Sequence, residues 1–185
     1  MRSALIPLAD GFEELEAVSV ADVLRRGAVK VTLAAIGESL EVTGANGITV
    51  KADAFFSEAE KGEYDVIVLP GGGPGTERLK SSEALIERLR RQKDEHRLIA
   101  AICAAPTVLV EAGVLGEGTH VTCYPTCQME LDRPWSPASV VADGGIITSQ
   151  APGTALLFAL VILQHIAGEA MANKVSRGMV TDVLG

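Results

Sequence analysis

The sequence predicts a doubly wound α/β sandwich on a mostly parallel sheet. Two observations carry this expectation. Short apolar runs without charge alternate with amphipathic runs from the N-terminus onward, the pattern of buried parallel strands joined by helices. Two of those runs end abruptly, "DVIVLPGGG" in glycines and "LIAAIC" in a cysteine, at the strand ends where such folds place ligands.

The elements follow in order. "SALIPLA" reads as a short apolar strand. "EELEAVSVADVLRRG" reads as a helix, acidic in its first turn and basic in its last, which suits the macrodipole, with Gly27 as its terminator. "VKVTLAAI" is β-branched and strand-like, and "EVTGANGITVKAD" carries an Asn46-Gly47 turn signal and reads as a hairpin. "DVIVLPGGG" is a buried strand running into glycines, and "SSEALIERLRRQKDEH" is an amphipathic helix capped by Ser81 or Ser82. After "LIAAIC" a helix starts at Ala104, with Pro106 in its first turn and Gly113 past its end. "THVTCYP" and the pair "SVVADGG" and "IITS" continue the sheet, followed by the helix "PGTALLFALVILQHIAG" and a polar helix from Glu169 to about Val180. With no linker or repeat, residues 1–185 read as one domain.

Composition narrows the function classes. Hydrophobic content of 48% and a charged fraction of 22% are ordinary for a soluble globular chain. A net charge of -8 argues against nucleic acid or anionic membrane as partner. "RLRRQK", Arg88 to Lys93, reads as the solvated face of a helix. The longest apolar helix, Ala155 to Gly168, is shorter than the ~20 residues of a membrane span and carries Gln164 and His165. No signal peptide is read at the N-terminus. Three cysteines, Cys103, Cys123 and Cys127, make no disulfide framework and fit a reducing compartment, the cytoplasm.

The candidate chemistry gathers at the strand ends. Cys103 stands at a strand-to-helix corner, the position of a nucleophile elbow; a small buried core thiol explains the same residue. "LPGGGPG", Leu69 to Gly75, is neither a P-loop nor a dinucleotide fingerprint, but its N–H groups and the one after Cys103 suit an oxyanion hole. Glu13, Glu14 and Glu16 share one helical turn, and periodicity does not choose among them. Cys123 and Cys127 in "CYPTC" are too few ligands for structural zinc, and His120 extends them only loosely. His96 and His165 fall on expected helices, and Trp135, between two prolines, anchors a loop.

"ADGFEELE", "DVIVLPGGG", "AAICAAPTVL", "VTCYP" and "ITSQAPGTA" occur in the order found in the DJ-one/ThiJ/PfpI superfamily, and the chain resembles its deglycase branch over nearly its whole length. The resemblance implies a flavodoxin-like sandwich, related to the class I glutamine amidotransferases, and a homodimer. It also implies a nucleophile at Cys103, a partner acid at Glu16, and N–H donors at Gly72 and Ala104. Apolar residues on more than one side of the Glu14–Arg26 helix fit a dimer. Ala104 stands where the peptidase-like branches carry histidine, which counts against peptidase activity. Tyr124 stands where the deglycase branch often carries histidine; it donates a hydrogen bond but is a poor base at neutral pH.

The expected activity is a cofactor-independent glyoxalase or deglycase reaction on small reactive α-oxoaldehydes through a Cys103 hemithioacetal, with no metal. The alternative is an oxidative-stress sensor or redox-dependent chaperone that uses oxidation of Cys103. A thiazole-biosynthesis role has no nucleotide or thiamin motif behind it.

Overall fold

The computed structural model describes residues 1–181. Its elements are β1 (Ser3–Leu8), α1 (Glu14–Arg26), β2 (Lys30–Ala35), β3 (Glu41–Thr43), β4 (Thr49–Lys51), β5 (Ala54–Phe55), α2 (Phe56–Ala59), β6 (Val66–Leu69), α3 (Gly73–Lys80), α4 (Glu83–Asp94), β7 (Leu98–Ile102), α5 (Pro106–Glu111), β8 (Val140–Asp143), β9 (Ile146–Ser149), α6 (Ala155–Ala167) and α7 (Glu169–Gly178). Short 3₁₀ segments cover Pro125–Glu130 and Pro152–Thr154.

Seven strands make one sheet in the order β5-β2-β1-β6-β7-β9-β8. All pairings in it are parallel except β8 with β9. Alternation of side chains sorts each strand between two cores. Ala4, Ile6 and Leu8 of β1 and Ala100 and Ile102 of β7 face α1, α6 and α7, where Val20, Leu24, Phe158 and Ala172 meet them. Leu5, Ile67, Ile99 and Ala101 face α3, α4 and α5 through Leu79, Leu85, Leu89 and Val108. A sheet covered on both faces needs uncharged strands, which is why the apolar runs locate them.

Successive strands leave β1 in one direction through β2 and in the other through β6 and β7, so the order reverses between β1 and β6. The loops after these strands flank that switch point, where doubly wound sheets open a crevice.

Several local expectations change. "THVTCYP" forms one bridge, Val121 with Trp135, and then a 3₁₀ turn rather than a strand. A helix, α3, begins inside the glycine-rich run at Gly73, with Pro74 in its first turn. Ser82, not Ser81, caps α4 by accepting from Leu85 N–H at 3.4 Å. Arg88 is only 2% exposed, and its Nη2 donates to Gly62 O, so "RLRRQK" is not uniformly solvated. His96 lies past the end of α4 with φ 53. Gly27 has an ordinary φ of -79; its size matters because a Cβ there would lie 2.3 Å from Leu163 Cδ1 on α6. Among the described residues no helix is long and apolar enough to cross a membrane.

Candidate active site

Buried β7 delivers the chain to Cys103, which takes φ 64. A non-glycine residue in the left-handed region costs about 1–3 kcal/mol and persists only when its neighbours hold it. Cys103 N–H donates to Ser149 O at 3.0 Å, and Cys103 O accepts from Tyr124 N–H at 2.8 Å. The elbow is thus pinned between β9 and the "VTCYP" segment. The N–H groups of Ala104 and Gly72 reach the thiol.

Glu16 lies in the first turn of α1 and is fully buried. Its Oε2 accepts from Gly71 N–H at 2.7 Å, whereas Oε1 has no aligned partner among the described residues. The Cys103 thiol lies beside this carboxyl. Burial pushes Glu16 from its ordinary 4.5 up to about 7, against the opposing pull of the Gly71 N–H and the thiol, with a further upward push from the Glu13 charge. Burial pushes the Cys103 thiol up to about 12, helped by the charge and hydrogen bond of Glu16 and opposed by the Ala104 and Gly72 N–H groups.

The helix that follows Cys103 does not make its thiol more acidic. Helix α5 spans only Pro106–Glu111, and a buried carboxylate stands at the sulfur. The two groups share protons and titrate as a pair. Protonating Glu16 removes the charge that holds the thiol up and leaves the two N–H donors to face a thiolate.

Two glycines let these parts meet. A Cβ on Gly71 would lie 2.7 Å from Cys103 Cβ and 2.9 Å from Glu16 Oε2. Gly72 has φ 90, and a Cβ there would lie 2.3 Å from Gly11 O and 2.7 Å from Glu13 N. The Gly11–Glu13 loop after β1 is therefore pressed against the loop after β6. Glu13 N–H donates to Gly71 O at 2.9 Å across the seam.

Cys103, Glu16, Gly72 and Ala104 are brought together. Tyr124 joins through its backbone, and its side chain is 42% exposed. Sequence reasoning misses Gly71, because three consecutive glycines look alike until the fold assigns each a neighbour. It also misses Asn46. Glu14 does more than complement a helix dipole: its carboxylate accepts from Asn46 N at 2.7 Å, Asn46 Nδ2 at 2.9 Å and Ile48 N at 3.2 Å. Burial pushes Glu14 up, but these bonds outweigh it and hold the carboxyl below its ordinary value. Glu14 thus fastens the β3–β4 hairpin beside the loop that leads to Glu16. His120 pairs with Asp143 at 3.4 Å and His165 Nδ1 meets Val161 O at 2.8 Å, both away from the thiol. Among the described residues no group of three or more His, Cys, Asp or Glu suits a metal ion. A cavity of about 620 Å³ lined by Arg2, Asp65, His96 and Arg97 opens at the amino ends of the strands, opposite the thiol.

The buried acid makes stability depend on pH. With its folded value raised from 4.5 to about 7, Glu16 favours the folded state fully below the lower value, and that contribution is lost as pH rises through the upper one. Wild type should lose on the order of 3 kcal/mol between those limits relative to Glu16→Gln. Urea unfolding of both proteins across the window measures the difference, and parallel pH curves would contradict it.

The family model described as the DJ-1/PfpI family matches residues 2–165. The chain belongs to the DJ-1/PfpI family. The crystal structure of Drosophila melanogaster DJ-1beta superposes with a TM-score of 0.93 at 38% identity, covering 97% of this chain and 98% of that one. The Arabidopsis thaliana protein DJ-1 homolog B is 41% identical over 174 residues, 94% of this chain; the chain spans 40% of that longer protein. Glutathione-independent glyoxalase DJR-1.2 of Caenorhabditis elegans is 36% identical over 177 residues, 93% of this chain and 92% of the relative. Sheet order, parallel pairings and this superposition agree on the flavodoxin-like α/β fold of the DJ-1/PfpI family.

Proposed function

We propose that this chain is a cofactor-independent glyoxalase or deglycase-type enzyme that converts α-oxoaldehydes such as methylglyoxal, or their adducts, to 2-hydroxy acids. The observation that carries the reading is the contact of Cys103, at φ 64, with a buried Glu16 held at about 7. An acid poised near neutrality both gives and takes a proton efficiently. The glyoxalase name of the Caenorhabditis elegans relative supports the same class.

In this reading the Cys103 thiolate adds to the aldehyde carbon. The new oxyanion is held by the Gly72 and Ala104 N–H groups and then protonated to the hemithioacetal. Glu16 takes the proton from that carbon and returns one to the neighbouring carbon, while the hemithioacetal hydroxyl proton passes to the former ketone oxygen, so the former ketone becomes an alcohol and the former aldehyde carbon a thioester. Water hydrolyses the thioester, releasing lactate and the thiol. The net reaction is methylglyoxal plus water to lactate, with no external oxidant or reductant.

Turnover in D₂O without glutathione tests it. Lactate carrying solvent deuterium at C2 is expected. A hydride shift would leave C2 unlabelled, and no lactate at all would remove the reading. Leu15 and Val18 on α1 and Ile48 on the hairpin loop are 54%, 49% and 58% exposed, an apolar face that supports a homodimer. Light scattering should return about twice 19.3 kDa, and a mass near 19.3 kDa contradicts it.

The redox-sensor reading uses the same residues. A protonated Glu16 and the two N–H groups would also hold a Cys103 sulfinate, which is the observation that favours it.

A further inference from the structure

Cys123 and Cys127 have no part in the chemistry above, yet the fold gathers them. Cys123 is fully buried and Cys127 half-buried, and both pack in the cluster that holds Leu131 and Trp135. They flank Tyr124, the residue that caps the Pro125–Glu130 3₁₀ segment. A single carbonyl collects both residues: Tyr124 O accepts from Cys127 N–H at 2.8 Å and from the Cys123 thiol at 3.2 Å. The tight turn thereby brings the Cys127 backbone to the carbonyl that the Cys123 thiol meets, and the charge of the Cys127 thiol pushes Cys123 up. Trp135 packs in the same cluster, and its indole Nε1 is buried with no hydrogen-bond partner among the described residues.

We propose that Cys123 and Cys127 form a second redox site, separate from Cys103, which a hydroperoxide closes into an intrachain disulfide. Cys127, the half-exposed member, attacks the peroxide oxygen, giving a Cys127 sulfenic acid and releasing the alcohol, or water from hydrogen peroxide. Cys123 then attacks the sulfenic sulfur. The S–S bond forms, the S–O bond breaks, and the departing hydroxide takes the Cys123 proton as water. Two thiols are oxidised by two electrons and the peroxide is reduced by two. Burial holds both thiols up, so the pair stays protonated at rest. Closure removes the Cys123 S–H donor from Tyr124 O. Tyr124 N–H donates to Cys103 O at 2.8 Å, so the closed site acts on a residue that anchors the elbow.

The test uses Cys103→Ser, which leaves only the pair. After hydrogen peroxide, both thiols should be lost together, the intact mass should fall by two hydrogens, and a peptide linking Cys123 to Cys127 should appear. Emission from Trp135, the one tryptophan, should drop and recover with dithiothreitol. In Cys103→Ser/Cys127→Ala, Cys123 should stay free. The proposal is overturned by oxygen gain at Cys127 with Cys123 free, by cross-links between chains, or by both thiols surviving exposure that fully oxidises Cys103 in wild type.

Discussion

Glu16→Gln is expected to lower methylglyoxal turnover by about 10²–10⁴-fold while leaving Cys103 open to alkylation. The amide keeps a polar group at Gly71 but carries no transferable proton. Its effect on the thiol is equally diagnostic. In wild type the pair loses protons in two coupled steps, near 7 and near 12. The variant has a single group to titrate, so the pH profile of iodoacetamide alkylation should collapse to one step between those values. Glu13→Gln should keep most of the turnover, because Glu13 only adds a charge that pushes Glu16 up. A Glu16→Gln protein with activity within tenfold of wild type, or an equal loss in Glu13→Gln, would move the proton transfer elsewhere.

The elbow is legible in the sequence because a buried strand must be uncharged and must end somewhere, and "LIAAIC" ends at a thiol. The acid is not legible without the family resemblance. Glu13, Glu14 and Glu16 share a turn, and only tertiary contacts separate them: Glu14 meets the Gly44–Ile48 loop, Glu16 meets Gly71, and Glu13 reaches Asn46 Nδ2 at 3.2 Å from the rim. The same limit hides Arg88, whose burial depends on where Gly62 lies rather than on its own helix. The direction of the Cys103 shift is likewise a tertiary fact, since the carboxylate that opposes ionisation arrives from α1. Strand β5, two residues long, carries too little pattern to be read at all.

Gly72→Ala is the second large effect. A Cβ there meets the backbone of Gly11, Phe12 and Glu13 at 2.3–2.7 Å, and none of these is a side-chain tip that can swing aside. The left-handed φ of 90 adds strain. The overlap and the strain together should cost about 2–6 kcal/mol, a large share of a typical domain's stability. Gly73→Ala is the control. Nothing lies within 4 Å of its Cβ, and it opens α3, so alanine should be neutral or stabilising by up to about 1 kcal/mol. Urea midpoints of the two variants should separate accordingly, and equal midpoints would mean that the seam between the loops after β1 and β6 is looser than described.

In the proposed reaction Cys103 is the nucleophile for an α-oxoaldehyde. The most direct test of this role is lactate formation from methylglyoxal by the reduced protein, without glutathione, in wild type and in Cys103→Ser. Steady conversion by wild type is expected, with a loss of at least about 10³-fold in the variant, whose hydroxyl is far less ionised than a thiol. Lactate formation by Cys103→Ser at a rate near that of wild type would contradict it.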